Sequence, residues 1–187
     1  MNFCLPLSRY RRYQIKKRYN IPFEDYGVVL FHPVTSEVDT IGDQAQSLYE
    51  ELKASNKSFV VISPNNDPGA KKIISAMDIL DKHKFRIIPS MRFAHFSELI
   101  RNASAIIGNS SAGVREAPFL GIPSLNIGAR QTNRSNAPSI VNASAFDHHG
   151  ISNFLNNSWG TRFKTHRAFG VGGAADRFLT IIKDEDF

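Results

Sequence analysis

Short apolar runs that alternate with longer amphipathic segments are the feature that most constrains the fold of this chain. From Gly27 onward the runs are β-branched or aliphatic, and between them apolar residues recur at helical spacing within 41–52, 73–80 and 96–100. Segments 147–155 and 174–182 predict two closing helices. The predicted strands are 28–31, 59–62, 86–88, 105–107, 124–127 and a weaker sixth at 139–142. This order predicts an α/β fold, a Rossmann-like doubly wound parallel sheet that binds ligands beyond the carboxyl ends of its strands.

The composition is that of a globular protein outside the membrane. The 187 residues fit one domain, with 42% hydrophobic and 21% charged residues, and no apolar run is long enough to cross a bilayer. Residues 1–6 lack the pattern of a secretory signal. We therefore expect a cytoplasmic protein with no membrane partner.

The cysteine and histidine content argues against a metal centre. Cys4 is the single cysteine, and the adjacent His148 and His149 would point apart on a helix or strand. We expect neither a metal nor a cofactor.

The net charge of +6 is concentrated near the N-terminus. Six of the 23 basic residues precede the first acidic residue, Glu24, which leaves 17 basic against 17 acidic residues afterwards. Residues 1–25 are interpreted as a basic helical lead-in or linker, a solvated helix face being favoured over a polyanion-binding arm. Residues 26–187 would form one Rossmann-like domain, and nucleic acid is not an expected partner.

Polar loops follow several predicted strands. The segment 108–113 combines small residues with the hydroxyls of Ser110 and Ser111 at a predicted helix start, which suits either a phosphate site or an ordinary helix cap. Glu116 would lie more than one turn into that helix, where its carboxylate would accept ribose hydroxyls or face solvent.

Three other strands end in similar loops. Arg130 and Arg134 follow the fifth strand, as phosphate ligands or as surface arginines. His32 follows the first strand, where it would bind a phosphate, move a proton or be structural. Asn65, after the second strand, would contact a ligand or close a turn.

These loops carry a resemblance to a known family. The sequence resembles the UDP-N-acetylglucosamine 2-epimerases, and especially the hydrolysing branch that forms N-acetylmannosamine for sialic-acid-type sugars. The matching segments, in family order, are His-Pro-Val-Thr at 32–35, Pro-Asn-Asn-Asp-Pro-Gly at 64–69, Gly-Asn-Ser-Ser-Ala-Gly-Val-Arg-Glu-Ala at 108–117, Asn-Ile-Gly-Ala-Arg-Gln at 126–131 followed by Arg134, and Phe-Gly-Val-Gly at 169–172.

The resemblance implies the C-terminal half of a glycosyltransferase-B-type fold, whose two Rossmann-like domains face each other. It also implies a UDP-sugar substrate and the following UDP-binding residues: His32, Asn65, Phe93, Ser110, Ser111, Glu116 and Arg130, with Gly113 and Arg134 as further candidates. Glu116 would hold the ribose, the serines and Arg130 the diphosphate, and Phe93 the uracil, although Phe93 also fits a core aromatic. His32 would act on the leaving-group side.

The implied reaction eliminates UDP with loss of the C2 proton and then adds water, giving N-acetylmannosamine and UDP. In the family, the acid and base carboxylates belong to an N-terminal domain, so we expect a missing N-terminal domain or partner chain, and homo-oligomers are compatible with this reading. Two departures from the family pattern are Asn133, where glycine is usual, and Val171, where an acidic or polar residue is usual. The competing interpretations are a UDP-binding module without catalysis and the C-terminal domain of a glycosyltransferase.

Overall fold

A single parallel sheet forms the centre of the molecule. The computed structural model describes residues 12–170 and 172–183. The strands are β1 Gly27–Leu30, β2 Phe59–Ile62, β3 Phe85–Ile88, β4 Ala105–Gly108, β5 Ser124–Ile127 and β6 Ile140–Ala143. They are arranged in the order β3-β2-β1-β4-β5-β6, and all five neighbouring pairs are parallel.

Helices cover both faces of this sheet, because the alternating side chains of each buried strand point to opposite faces. The helices are α1 Arg12–Arg18, α2 Ile41–Ala54, α3 Ala70–Ala76, α4 Phe93–Arg101, α5 Glu116–Leu120, α6 His148–Asn157 and α7 Ala174–Lys183. One apolar core joins Val29 and Val61 to α2, α3 and α6. A second core joins Val28 and Val60 to α4 and α5 on the other face.

The predicted α/β fold is confirmed. Strands 59–62 and 124–127 have the predicted bounds, and the first and sixth strands are displaced by one residue from 28–31 and 139–142. The first strand begins at Gly27 because the N–H of Gly27 already bonds to the carbonyl of Ser58. The sixth ends at Ala143, whose carbonyl accepts the N–H of Gly128.

The basic lead-in is partly helical, and its apolar residues pack on the domain. Ile15, Ile21 and Phe23 are buried, and the last two belong to the second core. Arg86 Nε donates to the carbonyl of Tyr19 at 2.7 Å. The division of the chain at residue 26 stays a prediction, and residues 1–11, including Cys4, lie outside the described part. No helix in the described ranges is long and apolar enough to span a membrane.

Candidate functional site

A polar cavity lies where the strand order changes direction. After β1 the chain builds β2 and β3 on one side, then crosses to place β4 on the other side of β1, so the loops that follow β1 and β4 diverge. The cavity has a volume of about 310 Å³. It is lined by His32, Asn65, Ser110, Ser111, Arg130, Gln131 and Arg134. Six of the predicted site residues therefore meet at one place on the carboxyl edge of the sheet.

Asn109 joins the two loops at this point. Its Oδ1 accepts the backbone N–H of His32 and its Nδ2 donates to the carbonyl of His32, both at 2.7 Å. Gly108 brings the strands close enough for this exchange, because its φ of 128° and the adjacent carbonyl oxygen of Leu30 leave no room for a Cβ atom. The backbone of His32 is thus fixed relative to Ser110.

Gln131 is a lining residue that the sequence analysis did not select. It is 4% exposed, its Nε2 donates to the carbonyl of Asn109 at 3.1 Å, and its buried Oε1 has no hydrogen-bond partner among the described residues. A buried polar atom without a partner is costly, which favours a ligand donor at this position. The sequence signal was its place directly after Arg130 in a strand-following loop.

The surroundings of His32 favour the neutral form of its imidazole. Burial lowers the pKa of its imidazole, and the Arg130 guanidinium lowers it further, while Asp67 acts in the opposite direction. The buried Nδ1 has no hydrogen-bond partner among the described residues. A neutral imidazole has one donor and one acceptor nitrogen, so His32 is able to donate a hydrogen bond without carrying a charge.

The two arginines of the cavity are exposed, and they belong to a loop of defined shape. Arg134 N–H bonds to the carbonyl of Gln131 at 3.3 Å, and Asn133 between them has a φ of 63°. Asparagine is one of the few residues that adopts this left-handed conformation at low cost. The left-handed backbone at this position suits asparagine as well as the glycine that the resemblance implies there.

The serine segment differs from the predicted helix start. Ser111–Gly113 is a single 3-10 turn, and Ser110 Oγ caps it by accepting the N–H of Ala112 at 3.3 Å. The predicted continuous helix is wrong because α5 begins only at Glu116. Pro118 has no N–H with which to bond the carbonyl of Val114, and proline is tolerated only in the first turn of a helix.

Glu116 consequently lies in the first turn of α5, and it is buried. It is 9% exposed, and its Oε2 has no hydrogen-bond partner among the described residues. Burial raises the pKa of the Glu116 carboxyl, against the effects of its own backbone N–H and of the Arg115 guanidinium. The alternative of a solvated surface glutamate is therefore wrong.

Three predicted site residues do not line the cavity: Phe93, Gly113 and Glu116. Phe93 begins α4 and its side chain is 60% exposed, so the alternative of a core aromatic is wrong. Gly113 is buried against β5, where an added Cβ would lie 2.7 Å from Ser124 Oγ, which suits close packing of the turn on the sheet. Val171 lies outside the described residues.

Together these features define a Rossmann-like α/β domain with a polar, cationic cavity at its switch point. The sequence model of the UDP-N-acetylglucosamine 2-epimerase family matches residues 5–183. The chain belongs to this family. The resemblance to this family that the sequence motifs indicated is thereby confirmed.

Individual relatives agree with this membership. A UDP-N-acetylglucosamine 2-epimerase of Neisseria meningitidis is 40% identical over 128 residues, covering 68% of this chain and 34% of the relative. A UDP-N,N'-diacetylbacillosamine 2-epimerase (hydrolyzing) of Legionella pneumophila is 28% identical over 160 residues, covering 83% and 42%. The structure of a UDP-GlcNAc 2-epimerase from Neisseria meningitidis bound to UDP-GlcNAc superposes with a TM-score of 0.72 at 17% identity, covering 92% of this chain and 49% of that one. This chain therefore spans about a third to a half of these relatives.

Proposed function

We propose that this chain supplies the UDP-binding half of a hydrolysing UDP-N-acetylglucosamine 2-epimerase, which converts UDP-N-acetylglucosamine to N-acetylmannosamine and UDP. The observation that carries the proposal is the cavity at the switch point, where Arg130, Arg134 and two serine hydroxyls converge. Guanidinium groups and hydroxyls are suitable donors for the oxygens of a diphosphate. Neither arginine is paired with a carboxylate that lines this cavity.

The proposed role in the reaction concerns the leaving group. The bond between C1 of the sugar and the UDP oxygen breaks as the C2 proton is removed, and water then adds across the resulting double bond. Negative charge collects on the departing diphosphate, so hydrogen-bond donors on Arg130, Ser110 and Ser111 would stabilise the transition state more than the ground state. His32 adds a hydrogen-bond donor on the same side, since an imidazole carries an N–H in its neutral form as well as its charged form.

The uridine part would extend from the cavity toward α4 and α5. Glu116, at the start of α5, would accept the ribose hydroxyls with its unpaired Oε2. The exposed ring of Phe93, at the start of α4, would lie against the uracil. Both elements begin at the carboxyl edge of the sheet, since each follows a strand of the parallel sheet.

The sugar-side proton chemistry needs a second half. None of the side chains that line the described cavity is a carboxylate. We propose that the acid and base come from an N-terminal half, as part of a longer chain or as a separate one. Helix α7 carries four large apolar side chains that are 49% to 64% exposed: Phe178, Leu179, Ile181 and Ile182. We propose that these side chains pack on the N-terminal half.

A turnover assay tests the function. The chain would be combined with the N-terminal half of the Neisseria meningitidis relative, and the products from UDP-N-acetylglucosamine would be followed by NMR. We expect free UDP and N-acetylmannosamine in equal amounts. UDP-N-acetylmannosamine as the product would contradict the hydrolysing branch.

The second candidate is a UDP-binding module without catalysis, which the absence of carboxylates from the described cavity lining favours. It predicts UDP binding but no turnover with a folded partner half.

A double change of Phe178 and Ile182 to serine tests the proposed contact between α7 and the N-terminal half. It should weaken association with the N-terminal half and leave UDP affinity unchanged, because α7 does not line the cavity.

A further inference from the structure

A cation-π contact lies beside the proposed ribose residue. The guanidinium carbon of Arg115 is 5.2 Å from the centroid of the Phe169 ring. Arg115 directly precedes Glu116 at the start of α5, whereas Phe169 lies more than fifty residues further along the chain. The contact therefore joins a distant segment to the residue next to Glu116.

The segment that carries Phe169 is fixed to α5 by backbone hydrogen bonds. Phe163 N–H donates to the carbonyl of Gly121 at 2.9 Å, and His166 N–H donates to the carbonyl of Pro118 at 3.0 Å. The chain then turns, with Gly170 N–H bonding the carbonyl of Arg167 at 3.0 Å. Gly170 has a φ of 97°, which favours glycine. The segment therefore lies antiparallel to α5, and Phe169 lies near the N-terminal end of that helix.

We propose that Phe169 is a positioning residue for the ribose end of the site, holding the Arg115 guanidinium beside Glu116. This inference rests on the proposed binding of UDP. Phe169 is 46% exposed, so its ring is not needed to fill the core, and its contact with Arg115 gives it a specific partner. A guanidinium kept near Glu116 favours the carboxylate form, which is the form that accepts two ribose hydroxyls.

The charges around Glu116 support this assignment. Burial raises the pKa of Glu116, and the Arg115 guanidinium acts in the opposite direction and lowers it. The adjoining turn, Ser111–Gly113, contributes no charged side chain. On the adjacent α4, Glu98 and Arg101 pair with each other at 3.7 Å, and His95 bonds to Tyr19. The Phe169 segment itself carries the charged or titratable Lys164, His166 and Arg167.

The test measures UDP affinity by calorimetry across pH for the whole chain and for Phe169→Ala, Phe169→Leu and Phe169→Tyr. Wild-type affinity should fall as Glu116 becomes protonated. In the alanine and leucine variants this fall should move to higher pH, and affinity near neutral pH should drop about two- to fivefold. The tyrosine variant retains the ring and should match the wild type.

A second ligand separates positioning from folding. With 2′,3′-dideoxy-UDP, which lacks the hydroxyls assigned to Glu116, the alanine variant should bind as the wild type does. If Phe169→Ala lost affinity equally for UDP and for 2′,3′-dideoxy-UDP, with no displacement of the pH profile, the inference would be overturned while the proposed binding of UDP would stand. If the folded wild type bound no UDP, the proposed function would fail together with this inference. NMR titration of the Glu116 carboxyl without ligand supplies an independent readout, and an unchanged pKa in Phe169→Ala would also overturn it.

Discussion

Replacement of Arg130 by glutamine tests the diphosphate site at a single charge. Arg130 lines the cavity and lies close enough to His32 to lower the pKa of that imidazole. A hydrogen bond to a charged group contributes about 1.5–3 kcal/mol, and because Arg130 is exposed we take the lower part, about 1.5–2 kcal/mol. The expected loss of UDP affinity in Arg130→Gln is therefore about 10- to 30-fold.

The assay is calorimetry with UDP, accompanied by an NMR titration of His32 without ligand. Removing the positive charge should raise the pKa of His32, although burial, the larger cause, should keep it below the ordinary value. Arg101→Gln is a matched control, because Arg101 lies at the C-terminal end of α4, does not line the cavity and pairs with Glu98. This variant should change UDP affinity less than about twofold. If Arg130→Gln displaced the His32 titration but kept wild-type affinity, Arg130 would not bind the diphosphate.

Three further variants probe the site and its frame. Glu116→Gln should weaken UDP binding yet raise the free energy of unfolding at neutral pH, because burial raises the pKa of Glu116 and the ionised carboxylate then destabilises the folded state by about 1.4 kcal/mol per pKa unit. In denaturation measurements between pH 4 and 8, this gain in stability of the variant over the wild type should disappear as pH falls through the pKa of Glu116 in the folded state. Asn109→Ala removes two 2.7 Å hydrogen bonds to the backbone of His32 and should lower the free energy of unfolding, measured in urea, by about 2–4 kcal/mol. A loss below about 0.5 kcal/mol would contradict the inference that Asn109 fixes the backbone of His32. Gly108→Ala should fail to reach the native fold by circular dichroism, whereas Gly160→Ala, also at positive φ but with open space around it, should fold with a modest loss.

The sheet and its polar rim were accessible from sequence because their signals are local. Strands buried on both faces are nearly continuous apolar runs, and β2 and β5 show this over their whole length. The loops after such strands meet at one edge in any parallel sheet, so His32, Asn65 and Arg130 could be assigned to one rim before the strand order was known. The structure brings them together in one cavity.

Other parts of the site depend on which strands are neighbours. Asn109 and Gln131 are polar and look like loop residues, but β4 lies between β1 and β5, and this buries both side chains between converging loops. No local sequence pattern specifies the order of the strands in the sheet. The break before Glu116 did have a local signal in Pro118, whose missing N–H prevents a continuous helix from Ser111. The contact between Phe169 and Arg115 joins segments too distant for sequence spacing to predict.

Direct measurement of UDP binding by this chain tests the central claim, that the cavity at the switch point is a nucleoside diphosphate site. Calorimetry should show one UDP bound per chain, with weaker binding of UMP because the second phosphate loses its contacts with Arg130 and the serine hydroxyls. Affinity should fall with added salt, as expected for contacts between charged groups. A folded chain that binds UDP no better than uridine would contradict the claim.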